Sequence, residues 1–268
     1  MSNTKRPSHT HSHKYMLSVE DALARILKMV SVLEPVQIPI LDALDQILSA
    51  DVFSSMDIPP LPNSAMDGYA VRTTDLGNGS LENPVELRVI DSIAAGELPL
   101  KSVAPRTAIR IMTGAPIPPC ADAVVAFENT DEIQTSSSSE KFSQIKIFES
   151  PDPFQNIRAA GRDIAKGELV LKKGTLIRPA EVGLLASMGL ATASIFRKPK
   201  VGILATGNEL LKPGAGKAPG MIYDSNSYSI AAATQKYGGI AEIIGIAKDN
   251  RHSIERKLKH FCHFQTLY

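Results

Sequence analysis

The segment VGILATGNELLKPG, residues 201 to 214, places small polar residues directly after a run of five apolar ones. Thr206, Gly207, Asn208 and Glu209 supply a hydroxyl, a flexible backbone, an amide and a carboxylate at the end of a predicted strand. Such groups can hold a phosphate, or a hard metal ion such as Mg²⁺ that bridges a carboxylate to a phosphate. The alternative is a buried strand that reaches the surface and ends beside a capping acid.

A second polar cluster follows the next predicted strand of the C-terminal segment. The apolar run AEIIGIA, residues 241 to 247, leads into Lys248–Asn250, with Asp249 at its centre. Between the two strands, a predicted helix starts at Asp224–Asn226, and free N–H groups at a helix N-terminus attract anions. Ligands of parallel sheets bind where the strands end, so we predict an anion site at this edge, with Mg²⁺ between a phosphate and Glu209.

Two motifs in the middle of the chain add candidate groups. PPLPNSAMDGYAVR, residues 59 to 72, presents Asp67 on a proline-stiffened loop, although Asp67-Gly68 is also ordinary turn chemistry. In RIMTGAPIPPCADAVV, a predicted strand ends at Thr113-Gly114, whose N–H groups can cradle an oxyanion but which is a common turn. Cys120 has no histidine near it in the sequence, so we do not expect it to be a nucleophile.

The segment NIRAAGRDIAKGE, residues 156 to 168, concentrates charge in the middle of the chain. The charged residues that it groups within nine positions are Arg158, Arg162, Asp163 and Lys166. Two interpretations stay open: a solvated loop with local ion pairs, or a basic pair that binds an anion while Asp163 holds a metal.

Composition limits the chemistry that is available. The chain has 268 residues, a formal net charge of +1, 43% hydrophobic and 21% charged residues, as in soluble globular proteins. Nothing in this balance favours nucleic acid or membrane partners, and no apolar run is long enough for a membrane helix. None of the six histidines lies between residues 14 and 251, which excludes histidine-dependent catalysis there. Two distant cysteines and the lack of a secretory signal predict a cytoplasmic protein without disulfides or cysteine-bound zinc.

The elements that must position these residues follow from periodicity. Residues 1 to 14 read as a polar leader, where His9, His11 and His13 could chelate a metal but a flexible tail is favoured. Ser18 is a good N-cap for a helix with apolar residues at helical spacing, and a second amphipathic segment covers about residues 41 to 50.

The rest of the chain shows a β-rich sequence pattern first and an α/β pattern after it. Short runs such as ELRVI, AIRIM, AVVAF and SQIKIF predict a mostly β region from residue 58 to about 162, with a solvated loop at Ser136–Ser139. RPAEVGLLASMGL predicts a helix with Pro179 in its first turn and Gly189 just past its end. The C-terminal segment then reads as β-α-β-α, its first strand covered on both faces.

The order of the motifs SAMDGYAVR, RIMTGAPIPPCADAVV, NIRAAGRDI, ATGNEL and IYDSN closely resembles the molybdopterin molybdenumtransferase family over about residues 16 to 257. The resemblance implies a multidomain fold of mixed α+β and α/β type. It implies a leader at residues 1–14 and a helical linker and dimerisation domain formed by residues 15–57 and 164–198. A β-rich domain, residues 58–163, is inserted between these two parts. Residues 199–268 form the first half of a three-layer α/β molybdopterin-binding domain.

In activity, the resemblance implies a transferase of molybdenum cofactor biosynthesis. Such an enzyme inserts molybdate into adenylylated molybdopterin, uses Mg²⁺ and releases AMP. It also implies an elongated homodimer whose site is shared between subunits, and the molybdopterin adenylyltransferase as a possible partner. Molybdate and the nucleotide-linked pterin are anions, so carboxylates can handle them only through the metal, and no catalytic thiol is needed.

The resemblance also assigns roles to residues. The positions that match the family's functionally sensitive residues are Asp67, Thr113, Asp163, Glu209 and Asp249. Of these, the expected metal ligands are Glu209, Asp249 and Asp67. The residues expected to contact the pterin or its phosphate are Thr206, Gly207, Asn208, Asp224, Ser225, Asn226 and Arg158.

The sequence departs from the family pattern after the second strand–helix unit. Family members continue into a Gly-Gly-Val-Ser loop with a nearby acid, more sheet and a small β domain, so we expect a C-terminally truncated member. Residues 258 to 268 do not resemble the family, and His260, Cys262 and His263 are better explained as a fortuitous tail than as a metal cluster. Three hypotheses follow: an impaired enzyme, a non-catalytic pterin-binding or scaffolding form, and a nucleotide-amidase-like relative. The NSAMDGYA loop argues against the third.

Overall fold

The computed structural model describes residues 17–132, 143–216 and 219–265, with side chains as far as Cys262. The predicted metal-binding His9, His11 and His13 and the predicted loop at Ser136–Ser139 lie outside these ranges. The described chain forms two compact units, one within Met1–Ser49 and Ser194–Tyr268, the other Ala50–Ala193. No helix in the described ranges is long and apolar enough to cross a membrane.

The described residues contain four α-helices. Their bounds are α1 Val19–Met29, α2 Pro179–Ser187, α3 Asn226–Lys236 and α4 Arg251–Gln265. The Ser18 hydroxyl caps α1 by accepting the Asp21 N–H at 3.0 Å, as predicted. Helix α2 starts at Pro179 and is followed by Gly189 at φ +75°, which confirms both predicted boundaries.

The described part of the chain contains fifteen short strands. Their bounds are β1 Pro35–Pro39, β2 Val52–Phe53, β3 Asn63–Ser64, β4 Gly68–Val71, β5 Val85–Ile93, β6 Thr107–Ile111, β7 Ala123–Ala126, β8 Gln144–Ile147, β9 Ile157–Arg158, β10 Leu169–Leu171, β11 Thr192–Phe196, β12 Lys200–Thr206, β13 Leu210–Leu211, β14 Ile222–Tyr223 and β15 Ile240–Ala247. The four predicted β runs fall on β5, β6, β7 and β8, so the mostly β character of this region is confirmed.

The unit Ala50–Ala193 is built around a five-stranded sheet in the order β7-β4-β6-β5-β8. Strands β5 and β6 are parallel and the other neighbours are antiparallel. Both faces of β4 are buried, because Tyr69 and Val71 pack into one apolar cluster and Ala70 into another. The two clusters hold β4 rigidly, and Asp67 immediately precedes that strand.

The other unit contains the predicted β-α-β-α segment. Strands β12 and β15 pair in parallel, and α3 joins them, as the alternation of patterns predicted. Burial is lower than predicted for a strand covered on both faces: Ile203 is buried, but most of β12 is partly exposed. The physical reason is that the described sheet here has two strands, so each has an unpaired edge.

Residues 41 to 50 differ from the helix-like pattern of their sequence. They form consecutive turns, with Asp45 at φ 59°, followed by an isolated bridge from Leu48 to Ile195. The buried Leu48 is thus used as a strand residue, because tertiary pairing outweighs a short amphipathic pattern.

Glu181 gives α2 a pH-dependent anchor. Its carboxylate accepts bonds from the Arg178 side chain at 2.7 and 3.0 Å and from the Arg178 N–H at 2.9 Å. These bonds, the side-chain ones first, lower the pKa of Glu181 from 4.5 to about 2. The carboxylate therefore stabilises the fold fully above about pH 4.5, and that contribution is lost as the pH falls towards 2.

We therefore expect Glu181→Gln to flatten the acid limb of the stability curve. The difference in melting temperature between pH 7 and pH 3 should be smaller in the variant than in the parent, as measured by circular dichroism. Glu82→Gln, at an exposed position, serves as the control. An unchanged pH dependence in Glu181→Gln would contradict this role.

Candidate functional site

The structure brings two separate motifs together at Asp67 and Thr113. Asp67 Oδ1 accepts the Thr113 N–H at 2.6 Å and the Thr113 hydroxyl at 2.7 Å. The contact follows from the antiparallel pairing of β4 with β6, which sets Gly68 opposite Ile111 and so places the residue before β4 beside the end of β6. A carboxylate is thereby fixed at the rim of the rigid sheet.

These bonds determine the charge state of Asp67. The Thr113 N–H lowers the pKa of Asp67 most, and the Thr113 hydroxyl lowers it further. Partial burial acts in the opposite direction, and the positive charge of Arg110 adds a smaller lowering. Asp67 thus remains an anion at neutral pH and can attract a cation.

The predicted oxyanion cradle at Thr113-Gly114 is not available. The Thr113 N–H is bound to Asp67, and the Gly114 N–H donates to the Ser64 carbonyl at 2.8 Å. The turn itself is present, with Gly114 at φ +84°. Its N–H groups donate to Asp67 and to the Ser64 carbonyl, so the motif positions a carboxylate and does not bind an external anion.

Arg110 is a component of this site that the sequence did not single out. Its guanidinium donates to Glu132 Oε1 from Nε at 3.1 Å and from Nη2 at 2.7 Å, and its Cζ lies 4.5 Å from the Phe127 ring centroid. Phe127 in turn meets the buried Tyr69 ring edge to face at 5.6 Å. In the sequence it stands as a cation inside the apolar run AIRIM, at the start of the motif that contains Thr113.

Arg158 and Asp163 form an ion pair. Arg158 Nη2 donates to Asp163 Oδ2 at 2.6 Å, and both side chains are partly exposed, at 38% and 48%. This is the arrangement expected of a solvated loop with local ion pairs, one of the two interpretations of the segment. An anion or a metal would have to bind at the remaining polar atoms of the pair.

The second group of predicted residues lies at the ends of β12 and β15. Thr206 pairs with Ala247 in the parallel ladder, so Glu209 and Asp249 each follow closely on one of two adjacent strand ends. The Gly207 N–H donates to the Ala247 carbonyl at 3.1 Å and is not free for phosphate, which corrects the predicted role of that amide.

Glu209 folds back over Gly207. A Cβ on Gly207 would stand 2.8 and 2.9 Å from the two carboxylate oxygens of Glu209. The carboxylate is exposed and lies over the backbone of the strand end. A larger residue at this position would displace the Glu209 carboxylate from the strand end.

Asp224 proves to be a helix cap. It is 4% exposed, its Oδ1 accepts the Ser227 N–H at 3.0 Å, and its own N–H donates to the Leu211 carbonyl at 2.8 Å. This bonding accounts for its burial and shows that its carboxylate caps the helix start, so Asp224 Oδ1 is already in use there. The N–H groups of Ser225 and Asn226 have no acceptor within the described residues.

A cavity of about 270 Å³ opens beside this helix start. It combines polar groups with an apolar wall from β12, β14 and α3, and its polar lining residues are Thr206, Asp224, Ser225, Asn226 and Ser227. Small-molecule sites typically combine a few placed polar groups with apolar walls in this way. Asn208 and Glu209 do not line the cavity as described.

The expected metal ligands do not form a three-acid cluster in one chain. No group of three His, Cys, Asp or Glu side chains that could hold a metal occurs among the residues that the structure describes. Asp67 lies in one unit, and Glu209 and Asp249 lie in the other. His263, the third member of the imagined tail cluster, has no described side chain.

Comparison with known proteins agrees with the motif order. The family described as MoeA N-terminal region (domain I and II) matches residues 17–189. Molybdopterin molybdenumtransferase 2 of Mycobacterium tuberculosis (strain CDC 1551 / Oshkosh) is 37% identical over 88% of this chain and 56% of its own length. Molybdopterin molybdenumtransferase of Staphylococcus epidermidis (strain ATCC 35984 and its equivalents) is 37% identical over 87% of this chain and 54% of its own length.

A solved structure gives the same result. The crystal structure of the molybdopterin biosynthesis moea protein from Pyrococcus horikosii has a TM-score of 0.78, with 34% identity over 91% of this chain and 60% of that one. The chain spans about half the length of the curated relatives it matches. With a family match over more than half of its residues and a shared mixed α/β fold, the chain belongs to the MoeA family.

Proposed function

We propose that this chain acts in molybdenum cofactor biosynthesis, inserting molybdate into adenylylated molybdopterin with release of AMP. The observation that carries the proposal is the bond pair from Thr113 to Asp67, which joins two family motifs into one preorganised carboxylate. Relatives named molybdopterin molybdenumtransferase support the same assignment. The substrate must come from a reaction that adenylylates the pterin phosphate, so an adenylyltransferase is the proposed partner, and the cytoplasm the proposed location.

The donor chemistry fits Mg²⁺. Asp67, Glu209 and Asp249 offer hard carboxylate oxygens, and Mg²⁺ is usually held by one or two carboxylates together with substrate phosphates and water. Bound there, Mg²⁺ would neutralise phosphate charge and polarise the phosphoanhydride bond between the pterin phosphate and AMP.

The protein's own groups bind and orient the substrate. Thr113 holds Asp67 ionised in one orientation, so its position costs no reorganisation when substrate arrives. The free N–H groups of Ser225 and Asn226 and the positive end of α3 suit the pterin phosphate, with the apolar wall of the 270 Å³ cavity beside them. Arg158 is proposed to contact the anion from its ion pair with Asp163.

A second candidate function is pterin binding without turnover. It is favoured by the cavity at the start of α3, because an apolar wall beside the Ser225 and Asn226 N–H groups can hold a pterin phosphate without any contribution from Asp67. In this form the chain would bind or scaffold molybdopterin, and its AMP release would be impaired or absent.

One experiment separates the two functions. The purified 268-residue chain is mixed with adenylylated molybdopterin, Mg²⁺ and molybdate, and AMP is quantified while pterin binding is followed by fluorescence. Molybdate-dependent AMP release supports the transferase, and saturable binding without AMP supports the binding form. Neither binding nor AMP release would refute both.

We further propose that the chain forms a homodimer through α1. The large apolar side chains of this helix and of its C-cap are all more than half exposed: Val19 80%, Leu23 54%, Ile26 61%, Leu27 61%, Met29 89% and the cap residue Val30 66%. The helix has no buried residue, and a continuous apolar stripe of this kind is typical of an interface. A dimer would also supply a second copy of each half of the site.

Ile26→Gln should weaken this dimer. Burying an isoleucine stabilises an interface by about 1.5 kcal/mol or more, so two copies predict a rise of about a hundredfold in the dimer dissociation constant. Analytical ultracentrifugation over a concentration series measures it. Arg25→Gln, on the polar side of the same helix, is the control, and equal effects of the two substitutions would contradict the proposal.

A further inference from the structure

A second cavity, separate from the one at the strand ends, lies against helix α4. Its volume is about 540 Å³, within the range of small-molecule sites of roughly 300–1,000 Å³. Ile244 of β15 lines it together with four basic residues of α4, namely Arg256, Lys257, Lys259 and His260. It shares no described lining residue with the 270 Å³ cavity.

The positive charge in this cavity is not neutralised by the protein. Glu255 is the one acid of α4, and it is bound to Arg251, whose Nε donates to Glu255 Oε1 at 2.6 Å. Arg256, Lys257 and Lys259 make no ion pair within the described part of the chain. Three neighbouring like charges repel one another, so the site attracts a multivalent anion.

The basic residues are held by a helix anchored on the sheet. The Phe261 ring covers Gly202 of β12, where a Cβ would stand 2.6 Å from two ring carbons. Lys257 reaches over β15 in the same way, since a Cβ on Gly245 would lie 3.2 Å from its Nζ. The Phe261 contact holds α4 against β12, and Lys257 lies over β15 beside the cavity.

We propose that this cavity binds a small ligand carrying two or more linked phosphate groups. Guanidinium and ammonium donors bind phosphate oxygens through charge-assisted hydrogen bonds, and three unpaired cations match the charge of a di- or triphosphate. The aliphatic floor at Ile244 keeps water away from one side of the site, which strengthens these bonds. The site is distinct from the pterin-phosphate site proposed at α3.

The test is calorimetric titration of the full 268-residue chain with inorganic triphosphate at low ionic strength. Saturable binding is expected, and Arg256→Ala and Lys257→Ala should each weaken it at least about tenfold. Arg251→Ala, on the same helix but with its charge already paired, is the matched control and should change affinity less than about twofold. Circular dichroism confirms that the variants keep the parent helix content.

Further ligands identify the source of the phosphates. Equal affinities for ATP and inorganic triphosphate would show that the phosphates alone are recognised, and a much tighter ATP complex would assign the site to nucleotides. Absence of saturable binding, or equal losses in the Arg251→Ala control, would overturn the proposal. It would also be overturned if single-stranded RNA bound more tightly than triphosphate with the same sensitivity to Lys257→Ala. Asp67→Asn should leave triphosphate binding unchanged, which keeps this result independent of the transferase proposal.

Discussion

Gly68→Ala is expected to disrupt the five-stranded sheet at the point where it positions Asp67. A Cβ on residue 68 would stand 2.0 Å from the Val125 carbonyl oxygen and 2.8 Å from its carbon. Both atoms belong to the backbone of β7, so no side-chain rotation can relieve the overlap. Strand β4 or β7 must move, and both are buried along their whole length.

The expected cost is at the upper end of overpacking effects, about 3 kcal/mol or more. For a chain of this size that corresponds to a fall in melting temperature of roughly 6 to 12 °C. Thermal unfolding followed by circular dichroism measures it. Because Asp67 precedes the displaced strand, its bonds with Thr113 should be lost as well.

Gly183→Ala is the matched control. Gly183 is an exposed residue inside α2, and an added Cβ there would meet nothing within 4 Å. Alanine is favoured over glycine in a helix by roughly 0.5–1 kcal/mol, so this variant should be slightly more stable than the parent. If Gly68→Ala melted like Gly183→Ala, the close approach of β4 and β7 would not be a constraint on the fold.

Gly68 also shows what the sequence could not reveal. In the sequence, Asp67-Gly68 looks like an ordinary Asp-Gly turn. In the structure, Gly68 is the first residue of β4, and a side chain there would overlap the backbone of β7. Local spacing predicts turns well because turn chemistry is local. Which backbone lies opposite a glycine depends on long-range pairing, and nothing in the neighbouring residues encodes it.

The other predictions also succeeded where they depended on local sequence and failed where they depended on long-range pairing. The Ser18 cap, the α2 boundaries and the strands β5 and β12 were predictable, because each follows from a short periodic pattern or a capping residue. The bond between the Gly207 N–H and Ala247 was not, since it requires the register of two strands 40 residues apart.

The candidate site was predictable in its residues but not in its bonding. Motif order suggested that Asp67 and Thr113 share a site, and their direct contact confirms that they meet. The supporting pair Arg110 and Glu132 was missed, because its members lie 22 positions apart and their pairing depends on the fold and not on local spacing. At Thr113-Gly114 the structure shows the turn, one of the two interpretations left open, and the Gly207 N–H is not free for phosphate; in both places structural hydrogen bonds already use the N–H groups.

Asp67→Asn should abolish the proposed transfer while leaving the fold intact. The asparagine Oδ1 can accept the same two bonds from Thr113 that the carboxylate accepts, so the rim of the sheet keeps its geometry. The negative charge is lost, and with it the attraction for Mg²⁺. Removing one preorganised electrostatic group from an active site costs about 100- to 1,000-fold in rate, and we expect a fall of that size in AMP release.

A stability measurement separates this loss of charge from a loss of structure. Since the Thr113 bonds lower the pKa of Asp67, its carboxylate stabilises the fold above pH 3.8, and that contribution is lost as the pH falls further. Asp67→Asn should remove this part of the pH dependence, so its melting temperature should lie slightly below the parent's at pH 7 and approach it as the pH falls below 3.8. Asp152→Asn, an exposed acid in the same unit, should change neither AMP release nor melting. Should the chain release no AMP, the Mg²⁺-dependent affinity for adenylylated molybdopterin takes its place, and an affinity equal to the parent's would show that Asp67 does not hold the metal.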